Sequence, residues 1–363
     1  EGFSDSTEAV DKLKVTKFVA ADEGMIRSRG QGLSLYRTAQ VSLVPFVGTN
    51  LKMSGIITNK FSLNILAGYN GATEGVEIGG LVNVNRRYVH GLQIAGLANA
   101  IGQETRGVQL AGLFNTNLGT VRGVQIAGIN NLVLDSLKGV QLAGVNNIIE
   151  GRSDGVQISG VNNLAMKNVD GVQLAGVSNV ALKNVNSVQI AGVVNFGRDI
   201  GGLQLAGVLN ASYGYIDGSQ IAGVLNTSRS VKSLQLAGVA NVTADTVYGA
   251  QVASVFNFGR KVRGFQLALF NFGDSTSGTS IGLINLFWRG YNSLEVTTNE
   301  VLPMHVQLRM GGYHFYNIFG IGTQGFSTGN VWGYTYGMGT AIRLGRKRNL
   351  LHLDLTTTDL QDD

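Results

Sequence analysis

A nine-residue phrase recurs along more than half of the chain, and this repeat limits the possible fold more than any other feature. It reads GVQLAGLFN, GVQIAGINN, GVQLAGVNN and GVQISGVNN in four successive copies between Gly107 and Asn163. The period is 16 residues, shortening to 15 or 14 in some later copies, and thirteen copies cover residues 75–273. A fixed short period predicts small units that bury their residues against neighbouring copies, because one unit is too small to form a core alone.

Polar and apolar residues hold fixed places within each copy. Counting from the first glycine, positions 2, 4, 7 and 15 are aliphatic with few exceptions, position 5 is small and position 6 is glycine. Position 3 is Glu77 in the first copy and then Gln93, Gln109, Gln125, Gln141, Gln157, Gln173, Gln189, Gln204, Gln220, Gln235, Gln251 and Gln266. Position 9 is Asn83, Asn99, Asn115, Asn131, Asn147, Asn163, Asn179, Asn195, Asn210, Asn226, Asn241, Asn257 and Asn271. Charged residues such as Asp135, Lys138, Lys167 and Lys183 lie in the segments that connect these cores.

The alternation of aliphatic residues with glutamine predicts β-strands rather than helices. The favoured architecture is a β-solenoid whose coils each contain two short strands, with corners at the Ala-Gly pair and at the polar turn. In it we expect positions 2, 4 and 7 to point inward. We also expect the Gln and Asn rows to form ladders, in which each Asn amide bonds to its copy in the next coil and to the turn backbone. The alternative is one large up-and-down transmembrane β-barrel built from the repeats as an antiparallel meander.

Two observations favour the solenoid over the barrel. Position 8 is asparagine in three successive copies, at Asn130, Asn146 and Asn162. In a meander these amides would face lipid together with positions 2 and 4, where unpaired amides are costly, whereas in a solenoid they face water. Residues 91–250 also contain few aromatic residues, although a membrane barrel carries two aromatic girdles.

The segments on either side of the repeats predict a different kind of strand. Residues 274–363 are rich in aromatic residues, and in residues 304–310 apolar side chains alternate with His305, Gln307 and Arg309. This alternation is typical of antiparallel outer-membrane β-barrel strands, and residues 33–74 carry a weaker form of it. Residues 1–32 are expected to form a polar N-terminal arm. A basic cluster consists of Arg343, Arg346, Lys347 and Arg348; it predicts a solvated turn, or alternatively a contact with anionic lipid head groups.

Residues that would indicate catalysis or a cofactor are scarce. The absence of cysteine excludes disulfides, thiolate metal sites and cysteine nucleophiles. The four histidines, His90, His305, His314 and His352, do not have the spacing of metal ligands. Residues 320–325 match GxGxxG, but no helical pattern follows, so they do not predict a dinucleotide site. The sequence therefore predicts no catalytic, cofactor-binding or metal-binding residue and no cofactor. Its dispersed basic residues, with a net charge of +5, do not indicate a nucleic-acid partner.

The tandem phrase, preceded by VSLVPFVGTN and FSLNILAGYNG, resembles the surface-repeat proteins of Gram-negative outer membranes of the Bacteroidota type. The resemblance covers roughly residues 40–345. It implies a surface-related protein of the outer membrane, in contact with outer-membrane lipid, and it supplies no activity. From it we predict a non-enzymatic structural scaffold or interaction surface that forms a membrane complex with other outer-membrane or surface proteins. The alternative function is a porin-like channel with a lumen lined by Gln and Asn.

Overall fold

The computed structural model describes residues 35–298, 300, 302–325, 331–344 and 349–362. The predicted N-terminal arm and residues 346–348 of the basic cluster lie outside the described residues. The chain divides into two compact units, residues 1–197 and 198–363. Both contain stacked turns of a parallel β-solenoid, about 14 turns in all, and the second also contains an antiparallel sheet. The favoured architecture is thus confirmed.

After the first described turn, each solenoid turn of the first unit contributes one strand to each of two parallel sheets. The first sheet consists of β1 (Leu35–Val44), β3 (Ile57–Asn64), β5 (Ala72–Gly79), β7 (Val89–Ala95), β9 (Thr105–Ala111), β11 (Val121–Ala127), β13 (Leu137–Ala143), β15 (Val156–Ser159), β17 (Val172–Ala175) and β19 (Val188–Ala191). The second sheet consists of β4 (Ala67–Asn70), β6 (Val82–Asn85), β8 (Ala98–Ile101), β10 (Phe114–Asn117), β12 (Asn130–Val133), β14 (Asn146–Ile149), β16 (Asn162–Ala165), β18 (Ser178–Ala181) and β20 (Val194–Gly197). A two-residue strand, β2 (Val47–Gly48), pairs antiparallel with β1, and a 3-10 helix follows at Leu51–Ile56.

The second unit continues the same arrangement. Its first sheet contains β21 (Leu203–Ala206), β24 (Ser219–Ala222), β27 (Leu234–Ala237), β29 (Ala250–Ala253), β31 (Phe265–Leu267) and β34 (Thr279–Ile281). Its second sheet contains β22 (Leu209–Ser212), β25 (Leu225–Ser228), β28 (Ala240–Val247), β30 (Phe256–Val262), β32 (Phe270–Gly273) and β35 (Ile284–Phe287). Short strands on the third side of the turns are β23 (Tyr215–Ile216), β26 (Ser230–Val231) and β33 (Ser275–Thr276).

Equivalent positions of successive copies lie directly beside one another. Gln141 pairs with Gln157 in the first sheet, and Asn147 pairs with Asn163 in the second, both in parallel. Parallel pairing of consecutive copies requires the chain to complete a full turn between them, so the repeats are not the antiparallel meander of the alternative barrel.

Glycine is required where the coils turn tightly. Gly107, at position 1, has φ of +133°, a conformation that side-chain-bearing residues rarely adopt. At position 6, a Cβ on Gly112 would lie 2.0 Å from the carbonyl oxygen of Gly96 in the preceding turn. The second glycine therefore allows adjacent corners to stack at the spacing of neighbouring strands.

Two predicted boundaries differ from the structure. Residues 33–74 were expected to form antiparallel barrel-type strands, but β1 pairs in parallel with β3, and β3 with β5, so described residues in this segment form solenoid turns. The solenoid also continues past residue 273, because β35 pairs in parallel with β32. Apart from the short antiparallel pairing of β1 with β2, these strands pair in parallel with a neighbouring turn.

An antiparallel sheet follows the last solenoid turn. Its strands, in spatial order, are β36 (Tyr291–Thr297), β37 (Met304–Gly311), β38 (Tyr316–Thr323), β39 (Val331–Leu344) and β40 (Asn349–Asp362). The alternation predicted for residues 304–310 falls on β37, where Val306 lies opposite Val296 and Ile321 in the neighbouring strands. The antiparallel part of the fold prediction is confirmed for this segment.

Candidate interaction surface

The interior of the solenoid contains a ladder of asparagine side chains. Asn147 is fully buried, and its Nδ2 donates to Oδ1 of Asn163 at 2.9 Å and to the carbonyl oxygen of Ile158 at 2.8 Å. The same pair of bonds, one to the next asparagine and one to the backbone, recurs at Asn131 and Asn163. The predicted asparagine ladder is thus present, but the backbone acceptors of these amides are strand carbonyls of the first sheet, in β13, β15 and β17, rather than the turn backbone that was predicted.

A second ladder, of glutamine side chains, runs in the opposite direction. Nε2 of Gln157 donates to Oε1 of Gln141 at 3.1 Å, so glutamines donate toward the N-terminus whereas asparagines donate toward the C-terminus. In the first unit the glutamine ladder ends at Glu77, which replaces glutamine and accepts a bond from Nε2 of Gln93 at 3.0 Å. A carboxylate suits this end, because it accepts hydrogen bonds without having to donate one onward.

Glu77 is fully buried among amide and hydroxyl donors. Asn64 and Asn70 donate to its Oε1 at 3.0 and 2.7 Å, and Thr73 donates to its Oε2 at 3.2 Å. Burial raises the pKa of this carboxyl above its ordinary value, and the hydrogen bonds act in the opposite direction. Among the described residues, Glu77 is the one acidic residue that is buried, and it lies at the end of the glutamine ladder.

The asparagine ladder of the second unit ends in the antiparallel sheet. Nδ2 of Asn285, in the last turn, donates to Oδ1 of Asn317 in β38 at 2.6 Å. Nδ2 of Asn317 then donates to the carbonyl oxygen of Gly282 at 2.9 Å, which closes the chain of donors. The antiparallel sheet therefore caps the polar interior of the solenoid turns on which it packs.

The larger apolar side chains inside the turns pack together at one corner. Position 15, predicted as aliphatic, is fully buried at Val121 and Leu137, and these side chains pack with Val133 and Ile149 from the second sheet. The interior is therefore a narrow aliphatic column beside two hydrogen-bonded amide ladders.

The prediction that positions 2, 4 and 7 point inward is wrong. Since Gln at position 3 and Asn at position 9 point inward, the residues on either side of them in the strands point outward. Position 4 is about 38% exposed at Ile158, and position 7 is 42% exposed at Val177. The physical reason is the alternation of the strand: the amides gain bonds to identical neighbours only when they lie inside, and the aliphatic residues are then placed on the opposite face.

The outward residues form two apolar faces that meet at a ridge. The first face carries positions 2 and 4 of the first sheet. The second face carries positions 8 and 10 of the second sheet, which are apolar in most turns, but position 8 is Asn130, Asn146, Asn162 and Ser178 in four successive turns. The ridge is the row of position 7 residues at the corner between them. Each unit has its own ridge: the exposed members, each 38–50% exposed, are Leu81, Leu97, Val177 and Val193 in the first unit, and Val208, Val224, Val239, Val255, Leu269 and Leu283 in the second. Exposed apolar rows of this kind mark contact with another molecule or with lipid.

The third side of the turns, here called the rim, is charged. Ion pairs cross it between turns, as from Lys232 Nζ to Asp217 Oδ1 at 2.7 Å. At Asp170, burial acts to raise the pKa of the carboxyl, but hydrogen bonds from Asn186 and Arg152 lower it overall. The rim and the two apolar faces give the solenoid turns a sharply amphipathic outer surface.

The antiparallel sheet is amphipathic as well. One face exposes apolar side chains, including Leu294 at 71%, Val296 at 75% and Leu355 at 71%. On the opposite face Arg309, which is largely buried, pairs with Glu295 and with Asp354, the second through Nη2 to Oδ2 at 2.7 Å.

The residues considered for chemistry are dispersed. His90 bonds to Glu104 at 3.0 Å on the rim, whereas His305 and His352 lie in the antiparallel sheet, where their partners are Thr335 and Tyr316. The first four residues of the GxGxxG match, 320–323, lie within β38, which is a strand of the antiparallel sheet. Among the described residues, no group of three or more His, Cys, Asp or Glu side chains could hold a metal ion.

Sequence reasoning missed the apolar outer faces, although a signal was present. Positions 8 and 10 are frequently apolar, as at Phe256 and Phe258, so aliphatic or aromatic residues flank the invariant Asn as well as the invariant Gln. A pattern in which the invariant residues are polar and the variable neighbours are apolar indicates an amide interior.

Within the described part of the chain, no helix has the length and apolarity needed to cross a bilayer. No family model, no curated protein and no solved structure matches this chain.

Proposed function

We propose that this protein is a non-enzymatic structural component of a membrane, with the solenoid as a scaffold that contacts lipid and neighbouring membrane proteins. The observation that carries the proposal is the ridge between two outward apolar faces, above an interior of amide ladders. The resemblance to surface-repeat proteins supports the outer membrane of a Gram-negative bacterium as its location. The proposal assigns no catalytic residue, cofactor or metal.

The size of the apolar surface supports a lasting contact. Full burial of an aliphatic side chain stabilises by about 1.5–3 kcal/mol. A ridge residue that is about two-fifths exposed, such as Val177, therefore has about 1 kcal/mol left to gain. At this value, the four exposed ridge residues of the first unit offer about 4 kcal/mol and the six of the second unit about 6 kcal/mol, before the faces are counted. Such a gain is ample for membrane binding, whereas scattered apolar residues on an ordinary surface offer far less.

The apolar face of the antiparallel sheet points to the same environment. Its exposed side chains alternate with a polar opposite face, as expected of strands with lipid on one side. A Gln- and Asn-lined channel receives less support, because the buried amides of Gln141 and Asn147 already donate to Gln125 and Asn163 inside the described turns.

The test is co-flotation of the purified full chain with vesicles of phosphatidylethanolamine and phosphatidylglycerol. The double variant Val177→Lys, Val193→Lys places two charges on the ridge, and Asn186→Lys adds a charge of the same kind on the rim. We expect the wild-type chain and the rim variant to float, and the ridge variant to bind at least 10-fold more weakly, since a lysine in hydrocarbon costs about 2.5–3.5 kcal/mol. Equal flotation of the two variants, or a wild-type chain that stays in solution, would contradict the proposal.

A further inference from the structure

We infer that the solenoid turns lie flat along the membrane and insert their ridge into a single leaflet, with the rim at the head groups. This inference rests on the proposed membrane function and specifies its geometry. The ligand it names is the acyl-chain region of one leaflet, bounded by phospholipid head groups. Three independent features of the turns support it.

The first feature is the depth of the apolar faces. The longer face extends from position 2 to position 7, as from Val156 to Val161. Five residues of extended chain span at most about 16 Å. Half of the hydrocarbon core of a bilayer is about 15 Å thick. The ridge can therefore reach the end of one leaflet while the rim stays outside, but it cannot cross the second leaflet.

The second feature is the distribution of aromatic residues. Between residues 75 and 287, every tyrosine lies in a connecting segment on the rim side, at Tyr88, Tyr213, Tyr215 and Tyr248. Seven of the eight phenylalanines in the same range lie at positions 2, 8 or 10, on the apolar faces, at Phe114, Phe196, Phe256, Phe258, Phe265, Phe270 and Phe272. Tyrosine concentrates at membrane–water interfaces, because its ring is apolar and its hydroxyl is hydrated, whereas phenylalanine is suited to the hydrocarbon.

The basic groups of the rim accompany these tyrosines. Lys232 Nζ lies 5.9 Å from the ring centre of Tyr215, and the Arg263 guanidinium lies 5.4 Å from the ring centre of Tyr248. Such pairs present a cation and a hydroxyl at the same level. That level matches the phosphate layer of a leaflet, where anionic groups attract basic side chains.

The third feature is the direction of the backbone hydrogen bonds at the ridge. The amide of Val177 donates to the carbonyl oxygen of Val161 in the preceding turn at 3.1 Å, and Val193 donates to Val177 in the same way at 3.1 Å. These bonds run along the solenoid axis and satisfy both the amide and the carbonyl group of Val177 at the ridge. A lipid-exposed chain requires this, because hydrocarbon offers no hydrogen-bond partner.

An axis perpendicular to the membrane is disfavoured by the rim. Its charges recur in successive turns, at Arg122, Lys138, Arg152, Lys167 and Lys183 in the first unit. With turns about 4.8 Å apart, these five residues span about 19 Å along the axis. In a bilayer about 30 Å thick, an axis crossing the membrane would place all or most of them in hydrocarbon, at about 2.5–3.5 kcal/mol each.

The chain contains no cysteine, so single cysteines can report depth without background labelling. The experiment introduces Val145→Cys, Val177→Cys and Val193→Cys on the ridge and Lys183→Cys on the rim. Each variant carries a nitroxide label, and its accessibility to oxygen and to a water-soluble nickel chelate is measured on the phosphatidylethanolamine and phosphatidylglycerol vesicles. These positions are exposed or half-buried, and the fold of each variant is checked by its circular dichroism spectrum.

We expect the three ridge labels to lie at one common depth, on the order of 10–15 Å below the phosphates, and the rim label to lie at the aqueous surface. A depth that changes steadily from residue 145 to residue 193 would overturn the inference in favour of a spanning orientation. Ridge labels that remain as accessible to the nickel chelate as the rim label, in protein that floats with vesicles, would also overturn it and would indicate attachment through the antiparallel sheet. Protein that does not float at all would contradict the proposed function itself.

Discussion

The asparagine ladder predicts a large difference between two adjacent, chemically identical residues. The perturbation is Asn147→Ala, inside the solenoid, compared with Asn146→Ala, its outward neighbour. The inner change removes the bonds from Asn147 to Asn163 and Ile158 and the bond that it accepts from Asn131 at 2.9 Å. Each bond contributes about 1 kcal/mol, and buried partners left without bonds add more, so the free energy of unfolding should fall by about 3–5 kcal/mol.

The outer change should have a much smaller effect. Asn146 donates to Asn130 at 3.0 Å and accepts from Asn162 at 3.2 Å, but all three side chains are half-buried on the outer face, so the truncation leaves no fully buried amide without a partner. We expect a loss below about 1 kcal/mol. This matched pair has the same side chain, the same strand and the same truncation, so the difference between the two variants reports the interior ladder alone.

The assay is urea unfolding of both variants in detergent micelles, followed by circular dichroism. The midpoint of Asn147→Ala should fall well below that of Asn146→Ala, with the dependence on urea unchanged if the same surface unfolds. Equal losses in the two variants, or a loss below about 1 kcal/mol for the inner one, would refute the assignment of the asparagines to the interior.

Three further predictions concern the ladder terminus, the register and the spacing of turns. Because burial raises the pKa of Glu77, the folded state keeps a proton that the unfolded state loses; stability should therefore fall as the pH rises from about 4.5 through the raised pKa. In Glu77→Gln this part of the pH dependence should disappear from urea unfolding, and an identical pH profile would contradict it. Deletion of residues 139–154, one whole turn, should leave cooperative thermal unfolding, whereas deletion of residues 139–146 should abolish it by breaking the register; equal damage would argue against stacked repeats. Spin labels at cysteines replacing Lys167 and Lys183 should be close, since these positions are about one strand spacing, roughly 5 Å, apart in backbone; a separation near 25 Å would indicate antiparallel strands.

The sequence alone determined the repeating unit and its local structure. The 16-residue period, the alternation around Gln and the Ala-Gly corner together predict two short strands in each coil, and the invariant Asn predicts a ladder along the axis. These features are local, because strand alternation, glycine corners and identical neighbours follow from the order of residues in one copy and its repetition.

Which face of each strand points into the solenoid was decided only by the tertiary structure. Alternation sorts residues such as Gln157 and Ile158 onto two faces but does not specify which face is inside. Hydrophobicity favoured aliphatic residues inside, yet the narrow interior is lined by amides, because each of them bonds to its copy 16 residues away and to a neighbouring backbone. The gain exists only once the turns are stacked, so it cannot be read from one copy.

At the ends of the ladders, too, the sequence showed some features and long-range packing decided the others. Glu77 was visible in the sequence as an exception to the glutamine row, but its role as the acceptor at the end of that row depends on donors from three other strands. Asn317 was not visible at all, because it lies 32 residues from Asn285 and outside the repeat. Sequence thus determined which residues recur, whereas long-range packing decided which of them face inward, what closes each ladder, and that the apolar residues remain on the outer surface.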